Sequence, residues 1–252
     1  MTGVKRCALV IGASSAIAQA LIDQLLSNDE LVVYAISRSF PVDFTDRMRD
    51  QKRLHLLECD YSPVQLSEIV ESIKATSLPC VKVFICNGVL HNHSFLPEKK
   101  IEQFSADTFQ QVMHVNAVVP GLWLQQLITL LKHTLPCVVV VFSARVGSIS
   151  DNRAGGWYSY RASKAALNML VKTAAIEYAR RAKNVRLIVF HPGTTDTKLS
   201  QPFQSNVAPE KLFTPEFVAT QLLSLIKPLA LENHVFDHQA SFIDWQGKEI
   251  DW

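Results

Sequence analysis

The chain has no Cys-x-x-Cys pair among its five cysteines, at 7, 59, 80, 86 and 137. That spacing argues against a zinc module or a dithiol centre. Four of the five lie inside or beside apolar runs, so small buried core residues are a better account of them than disulfides or metal ligands. Long apolar runs are missing as well. The longest strongly apolar stretch, Leu135 to Phe142, is far too short to span a bilayer, and Met1 to Arg6 opens with polar residues rather than the core of a signal peptide. Nor is there an excess of charge of one sign, since 25 Lys and Arg against 23 Asp and Glu leave +2. The basic residues are scattered apart from Arg180, Arg181, Lys183 and Arg186. These fall at an expected helix end, where cations complement the dipole, so neither nucleic acid nor a membrane is expected as a partner. Linkers, composition shifts and internal repeats are absent. What remains is a soluble, cytoplasmic protein, and 48% hydrophobic residues over 252 positions are ample for a full core.

What the chain does contain is an alternation. Six apolar runs read as strands: Cys7 to Ile11, Leu31 to Ile36, Leu54 to Cys59, Val81 to Cys86, Cys137 to Phe142 and Val185 to Phe190. Between them lie segments with helical spacing. These are Ala16 to Leu26, a segment opened by Pro63, a long one over about 105–132 that contains Pro120, and 157–181 with a stripe of Leu167, Leu170, Val171, Ala174 and Tyr178. A last helix, capped by Thr214-Pro215, runs to about Ile226, and a short strand is expected near His234 to Phe236. Strands apolar on both faces that alternate with helices predict a parallel sheet covered on both sides. The expected fold is therefore α/β over 1–252, a single-domain Rossmann fold with a doubly wound parallel sheet of about seven strands.

In such sheets ligands sit beyond the carboxyl ends of the strands. Those ends carry Gly12 to Ala16, Ser37-Arg38, Asp60, Asn87-Gly88, Ser143 and Pro192-Gly193. A glycine turn that opens a helix presents backbone N–H groups to a pyrophosphate, and the helix dipole adds to the attraction. At the second strand's end, Ser37 stands where an acidic residue would repel a 2′-phosphate, and the Arg38 guanidinium follows it, which favours NADP(H) over NAD(H). In the 157–181 helix, Tyr160 and Lys164 stand one turn apart on one face. A cation beside a phenol favours the phenolate and brings the group toward acid/base work at neutral pH. Pro120 has no N–H, so in a continuous helix the carbonyl of Asn116 loses its usual donor.

Gly12 and the turn after it, His114-Val115-Asn116-Ala117, Tyr160-x-x-x-Lys164 and Pro192-Gly193-x-x-x-Thr197 together resemble the short-chain dehydrogenase/reductase family over nearly the whole chain. The stretches from Ser143 to Asn152 and from Gly155 to Lys164 look like its C-factor-like branch, whose founding member was linked to cell–cell signalling. The resemblance implies hydride transfer between a nicotinamide ring and a carbonyl or alcohol carbon of a small molecule. Tyr160 would exchange the proton, and Lys164 would lower the phenol's pKa and bind the ribose. The main-chain oxygen of Asn116 would hold a water linked to Lys164, Thr197 would hold the carboxamide, and Asp60, with Tyr61 beside it, would accept from the adenine. The expected cofactor site comprises Gly12, Ser14, Ser15, Ile17, Ser37, Arg38, Asp60, Tyr61, Asn87, Gly88, Tyr160, Lys164, Pro192, Gly193, Thr195 and Thr197, with no metal. A substrate lid near 197–213, with Phe203, Phe213 and Phe217, a pocket lined by His91 and His93, and a homodimer or homotetramer built on the two long helices complete the expectation.

Departures from the family pattern are specific. Ala16 and Ala18 stand where later glycines are usual, and Cys86 and Val89 replace Asn and Gly. Alignment on Gly147 puts Ala144 in the slot of the serine that orients the substrate carbonyl, with Ser143 and Ser148 flanking it. Ser143 is taken as the catalytic serine. Because losing a donor at a developing oxyanion costs on the order of 10²-fold in rate, two activities are entertained: an NADP(H)-dependent carbonyl reductase, or a nucleotide-binding signalling or regulatory protein with little turnover.

Overall fold

A strand made only of apolar residues has no face to give to water, and Cys137–Phe142 is buried along its whole length. The computed structural model, which describes residues 6–231 and 239–252, sets this strand among others of the same kind. In chain order the strands are β1 (Arg6–Ile11), β2 (Leu31–Ser37), β3 (Leu54–Glu58), β4 (Cys80–Ile85), β5 (Cys137–Phe142), β6 (Val185–His191), β7 (Thr194–Thr195), β8 (Leu212–Phe213) and β9 (Ser241–Asp244). Seven of them form one sheet in the order β3-β2-β1-β4-β5-β6-β9, with every pairing parallel. The short β7 and β8 pair with each other.

The helices are α1 (Ala16–Leu26), α2 (Val42–Met48), α3 (Pro63–Ala75), α4 (Ala106–Met113), α5 (Val119–Leu130), α6 (Tyr158–Arg181) and α7 (Pro215–Leu231). They cover both faces of the sheet, and the two-residue period of the strands divides the core between them. Cys7, Leu9 and Ile11 of β1 point to one side, where Leu66 of α3, Trp123 of α5 and Leu167 of α6 pack. Ala8 and Val10 point to the other, against Ile22 of α1, Phe44 of α2 and Leu222 of α7. Four cysteines, Cys7, Cys59, Cys80 and Cys137, are buried in this core. Among the described residues no helix is long and apolar enough to cross a membrane.

The chain leaves β1 toward β3 and then returns to place β4 on the other side of β1. Beyond the carboxyl ends of β1 and β4 the connections diverge, and a crevice opens where a doubly wound sheet takes its ligand.

Several segments differ from the sequence expectation. The long helix over 105–132 is three pieces: α4, a π-helical turn at His114–Val118, and α5 with Pro120 in its first turn. Pro120 cannot donate to the i−4 carbonyl, so the ladder widens by one residue, and Val119 N–H bonds His114 O before a new helix starts. The proline thus opens a helix after a π-helical turn, where a continuous α-helix was expected. The short α2 was not anticipated. Helix α7 continues past Ile226 to Leu231 with Pro228 inside it. The seventh sheet strand is Ser241–Asp244, and the expected strand near His234 to Phe236 lies outside the described residues. On α6, Leu170 is 42% exposed, while Leu167, Val171 and Tyr178 are buried.

Gly12, which ends β1, has φ +76°, and a Cβ there would stand 2.9 Å from Asn87 N. Gly12→Ala is expected to lower the free energy of unfolding by about 2 kcal/mol or more, through the backbone angle and the clash together. Urea denaturation reads the change, and an unaltered midpoint and slope would contradict it.

Candidate active site

The turn after β1 carries the chain into α1, where the Ser15 hydroxyl caps the helix by accepting from Ala18 N at 3.3 Å. Ser14, Ser15 and Ile17 face a cavity of about 520 Å³ whose far wall holds Ser143, Tyr160, Lys164 and Thr197. A neighbouring cleft of about 150 Å³ is lined by Gly12, Ser37, Arg38, Asp60 and Tyr61, and Asn87 and Gly88 border both spaces. Pro192 also lines the larger one. Three expected residues lie off these walls: Asn116 is fully buried behind them, Gly193 makes a turn at φ +75°, and Thr195 is buried in β7. A larger cavity, about 700 Å³, lies at the opposite end of the sheet beside Lys132, Arg180, Arg181 and Lys183 and contains none of the expected residues.

Helix α6 brings Tyr160 and Lys164 to the crevice. The Lys164 ammonium is buried, donates to Phe142 O at 2.9 Å, and stands 5.9 Å from the Tyr160 ring centroid. One residue beyond Phe142, the Ser143 hydroxyl reaches the cavity wall and donates to Asn168 Oδ1 at 2.7 Å, while Asn168 Nδ2 donates to Gly147 O at 3.2 Å. Of the two serines flanking Ala144, Ser143 therefore shares a wall with Tyr160. Ser148 is off that wall, where its hydroxyl accepts from Asp151 N at 3.2 Å. The Asn116 side chain joins elements: its Oδ1 accepts from Val89 N at 2.7 Å, and its Nδ2 donates to Val89 O and to Ser163 Oγ, each at 2.9 Å.

The electrostatics differ from the expectation that Lys164 lowers the phenol's pKa. Burial pushes Tyr160 above its ordinary value, and burial pulls Lys164 down to about 8. Burial disfavours the charged form of each group, yet at neutral pH the phenol is protonated and Lys164 is still largely an ammonium, which spends its bond on the Phe142 carbonyl. His191 is held down to about 4, first by burial and then by the Arg145 charge, so its ring is neutral at physiological pH. Asp60 is lowered by hydrogen bonds from Ser62, led by its backbone N–H. Among the described residues no group of three or more His, Cys, Asp or Glu side chains could hold a metal.

Trp157, which sequence reasoning did not select, meets two expected residues here, Tyr160 edge-on at 6.1 Å and Phe203 at 5.0 Å, and Phe203 meets His91 at 5.6 Å. His91 Nε2 lies 3.1 Å from Leu199 O, whereas His93 is exposed. Segment 197–213 is two short 3-10 turns between β7 and β8, so that strand pair ties its ends together. Glu98 and Asn168 were also missed. The one local signal was Gly155-Gly156 before Trp157, a mark of left-handed backbone.

The groups present fit a nicotinamide dinucleotide. A capped helix N-terminus faces the cavity, the Asn87 side-chain oxygen between the two spaces is buried without a partner, and Arg38 on the cleft wall forms no ion pair among the described residues. The fold and the site together define a dinucleotide-binding α/β protein. A model of the family described as short chain dehydrogenase matches residues 6–208. A benzil reductase, (S)-benzoin forming, of Bacillus cereus is 25% identical over 251 residues, covering 88% of this chain and 94% of its own. C-signal of Myxococcus xanthus is 33% identical over 110 residues, 44% of this chain and 58% of that protein, in keeping with the C-factor-like resemblance. The NADPH-bound carbonyl reductase from chicken fatty liver shares the fold at TM-score 0.81 and 20% identity, with 98% of this chain and 99% of that one covered. The chain belongs to the short-chain dehydrogenase family of oxidoreductases.

The Lys164 shift carries a sign. The unfolded chain holds that proton up to about the ordinary 10.5 and the folded one only up to about 8, so burial of the ammonium costs stability below pH 8, and the cost is relieved as pH rises between the two values. The stability of wild type relative to Lys164→Met is therefore expected to improve across that window in paired denaturation curves. A difference that stays flat with pH would contradict the assignment.

Proposed function

We propose that the protein is an NADP(H)-dependent reductase of a small-molecule carbonyl compound, or, in the other direction, an NADP+-dependent dehydrogenase of the matching alcohol, with Tyr160 as general acid/base. The observation that carries this reading is the single cavity in which Tyr160, Lys164 and Ser143 face the helix turn at Ser14, Ser15 and Ile17. NADPH, when bound, supplies the hydride. Gly12, Ser14, Ser15 and Ile17 would hold its pyrophosphate, Ser37 and Arg38 its 2′-phosphate, and Asp60 and Tyr61 its adenine end. Asn87, Gly88, Lys164, Pro192, Gly193, Thr195 and Thr197 would hold the nicotinamide half.

The chain's own chemistry follows from the two shifts. A phenol whose pKa burial has raised is protonated at neutral pH and can give its proton to a carbonyl oxygen. Below pH of about 8 the Lys164 ammonium is charged and can stabilise the phenolate that remains. Ser143 takes the role vacated at Ala144, donating to the substrate oxygen once its hydroxyl turns from Asn168 Oδ1. Asn116 supports the site as a brace between the loop after β4 and α6, with its carbonyl as the candidate water holder. The 197–213 segment, through Phe203, serves as the lid. Exposed Met169 and Ile176 on α6 suit the face of a homodimer.

The signalling reading is favoured by one observation, that Ser143 already spends its hydroxyl on Asn168, which would leave a substrate oxygen without a donor. Benzil, the diketone named for the Bacillus relative, is the first compound to assay, with other ketones, aldehydes and quinones. Tyr160→Phe is expected to lower kcat by about 10²-fold or more with NADPH affinity retained, and Arg38→Ala to erase a preference for NADPH over NADH. Unchanged turnover in Tyr160→Phe would overturn the mechanism, and equal binding of the two cofactors by wild type would overturn the cofactor assignment. NADPH binding without turnover of any carbonyl would favour the signalling reading.

A further inference from the structure

We propose that Glu98 is a positioning residue: its carboxylate anchors the first turn of α6 and thereby aims Tyr160. The proposal rests on the reading of Tyr160 as the acid/base group.

Helix α6 begins without a cap of its own. Trp157 occupies the capping position, its side chain makes no capping bond, and the first turn contains no acidic residue. Orphan N–H groups at a helix start need acceptors, and a negative charge there is favoured by the dipole. Glu98 supplies both from sixty-one residues earlier in the chain, on the loop after β4. One carboxylate oxygen accepts from Ser159 N at 3.2 Å, and the other accepts from the Ser159 hydroxyl. The main chain joins in, since Trp157 N–H donates to Glu98 O at 2.5 Å.

This carboxylate is only 3% exposed and forms no ion pair among the described residues. A buried anion without a counter-ion is costly unless hydrogen bonds hold it, so its placement is constrained as tightly as that of the residue it holds. Backbone strain marks the same spot. Gly155, Gly156 and Trp157 have φ of +64°, +65° and +54°, and a left-handed angle is rare for a residue as bulky as tryptophan. The chain winds closely against the Glu98 loop here, so that a Cβ on Gly156 would stand 3.4 Å from Glu98 O.

The held residues flank the phenol. Ser159 precedes Tyr160, and the Trp157 ring lies against the Tyr160 ring and against Phe203. Lys164 has separate supports, its own bond to Phe142 O and the brace from Asn116 to Ser163. Neither Glu98 nor Ser159 lines the cavity, and Ser159 is 1% exposed, so neither is placed to touch substrate. Loss of the anchor should thus disturb Tyr160 more than Lys164.

The test uses the full chain with NADPH and a carbonyl substrate. Glu98→Ala is expected to lower kcat by about 10-fold to 100-fold, with KM for NADPH changed less than about threefold. Glu98→Gln keeps the acceptor for Ser159 N–H and can exchange roles with its hydroxyl, so it is expected to restore kcat to within about threefold of wild type. If Glu98→Ala does not fold, Glu98→Asp, which falls a methylene short, takes its place with the same expectation. In NADP-bound protein, amide hydrogen exchange over residues 157–162 should quicken in Glu98→Ala and stay as in wild type in Tyr160→Phe. An unchanged kcat with unchanged exchange in the alanine variant would overturn the proposal, as would a folded glutamine variant as slow as the alanine one. Should wild type turn over no carbonyl, the functional reading fails, and the exchange data alone decide the anchor.

Discussion

A lysine ammonium buried at the end of a central strand, bonded to one carbonyl and forming no ion pair among the described residues, is the constraint on which the rest of the site depends. Lys164 gives its hydrogen bond to Phe142 O, and its pKa falls to about 8 because burial disfavours the ammonium. Such a group survives in a fold only where the surroundings fix it. Gly147 packs so close that a Cβ there would lie 2.8 Å from Lys164 Cβ. The approach of the helix to the end of β5 is therefore set by backbone on one side and by the lysine stem on the other.

The buried face of α6 is consequently mixed. Its lower part, with Leu167, Val171 and Tyr178, packs into the apolar core, whereas Ser159, Ser163, Lys164 and Asn168 are polar and buried. Each of these four is bonded outward to residues distant in the chain: Ser159 to Glu98, Ser163 to Asn116, Lys164 to Phe142 O at the end of β5, and Asn168 to Ser143 and Gly147 just beyond it. Polar groups inside a protein must be paired, and pairing them across chain segments turns a helix end into a rigid platform. That platform carries the phenol and faces the turn at the start of α1 across the cavity. Function under the proposed reading is a consequence of this rigidity, since the acid/base group and the cofactor site are held by separate elements of one sheet.

Much of this was legible in the sequence, for physical reasons. Strands buried on both faces leave continuous apolar runs, and β1, β2, β4, β5 and β6 were read from theirs. Tyr160 and Lys164 share a helix face whatever the surroundings, and the strand-end residues followed once the sheet was parallel. The rest depended on contacts across the chain. The π-helical turn at His114–Val118 is a choice among several ways of accommodating Pro120, and no periodicity distinguishes them. Whether Ser143 or Ser148 reaches the cavity turns on how the end of β5 bends. Helix α2 is too short for a helical period to emerge, and the leaving strand β9 is too polar to read as one. Glu98 was invisible because a carboxylate on a loop looks solvated until the helix it caps is in place.

Direct hydride delivery at the Tyr160 wall of the cavity, as proposed, is tested most simply by deuterium tracing. NADPH carrying deuterium on one face of the nicotinamide C4 would be incubated with a carbonyl substrate, and the alcohol product analysed by mass spectrometry and NMR. Under the proposed function, label on one face, and not on the other, is expected at the carbinol carbon, because a cofactor held in that cavity would present a single face to the substrate. Label lost to water, or delivered from both faces, would contradict it.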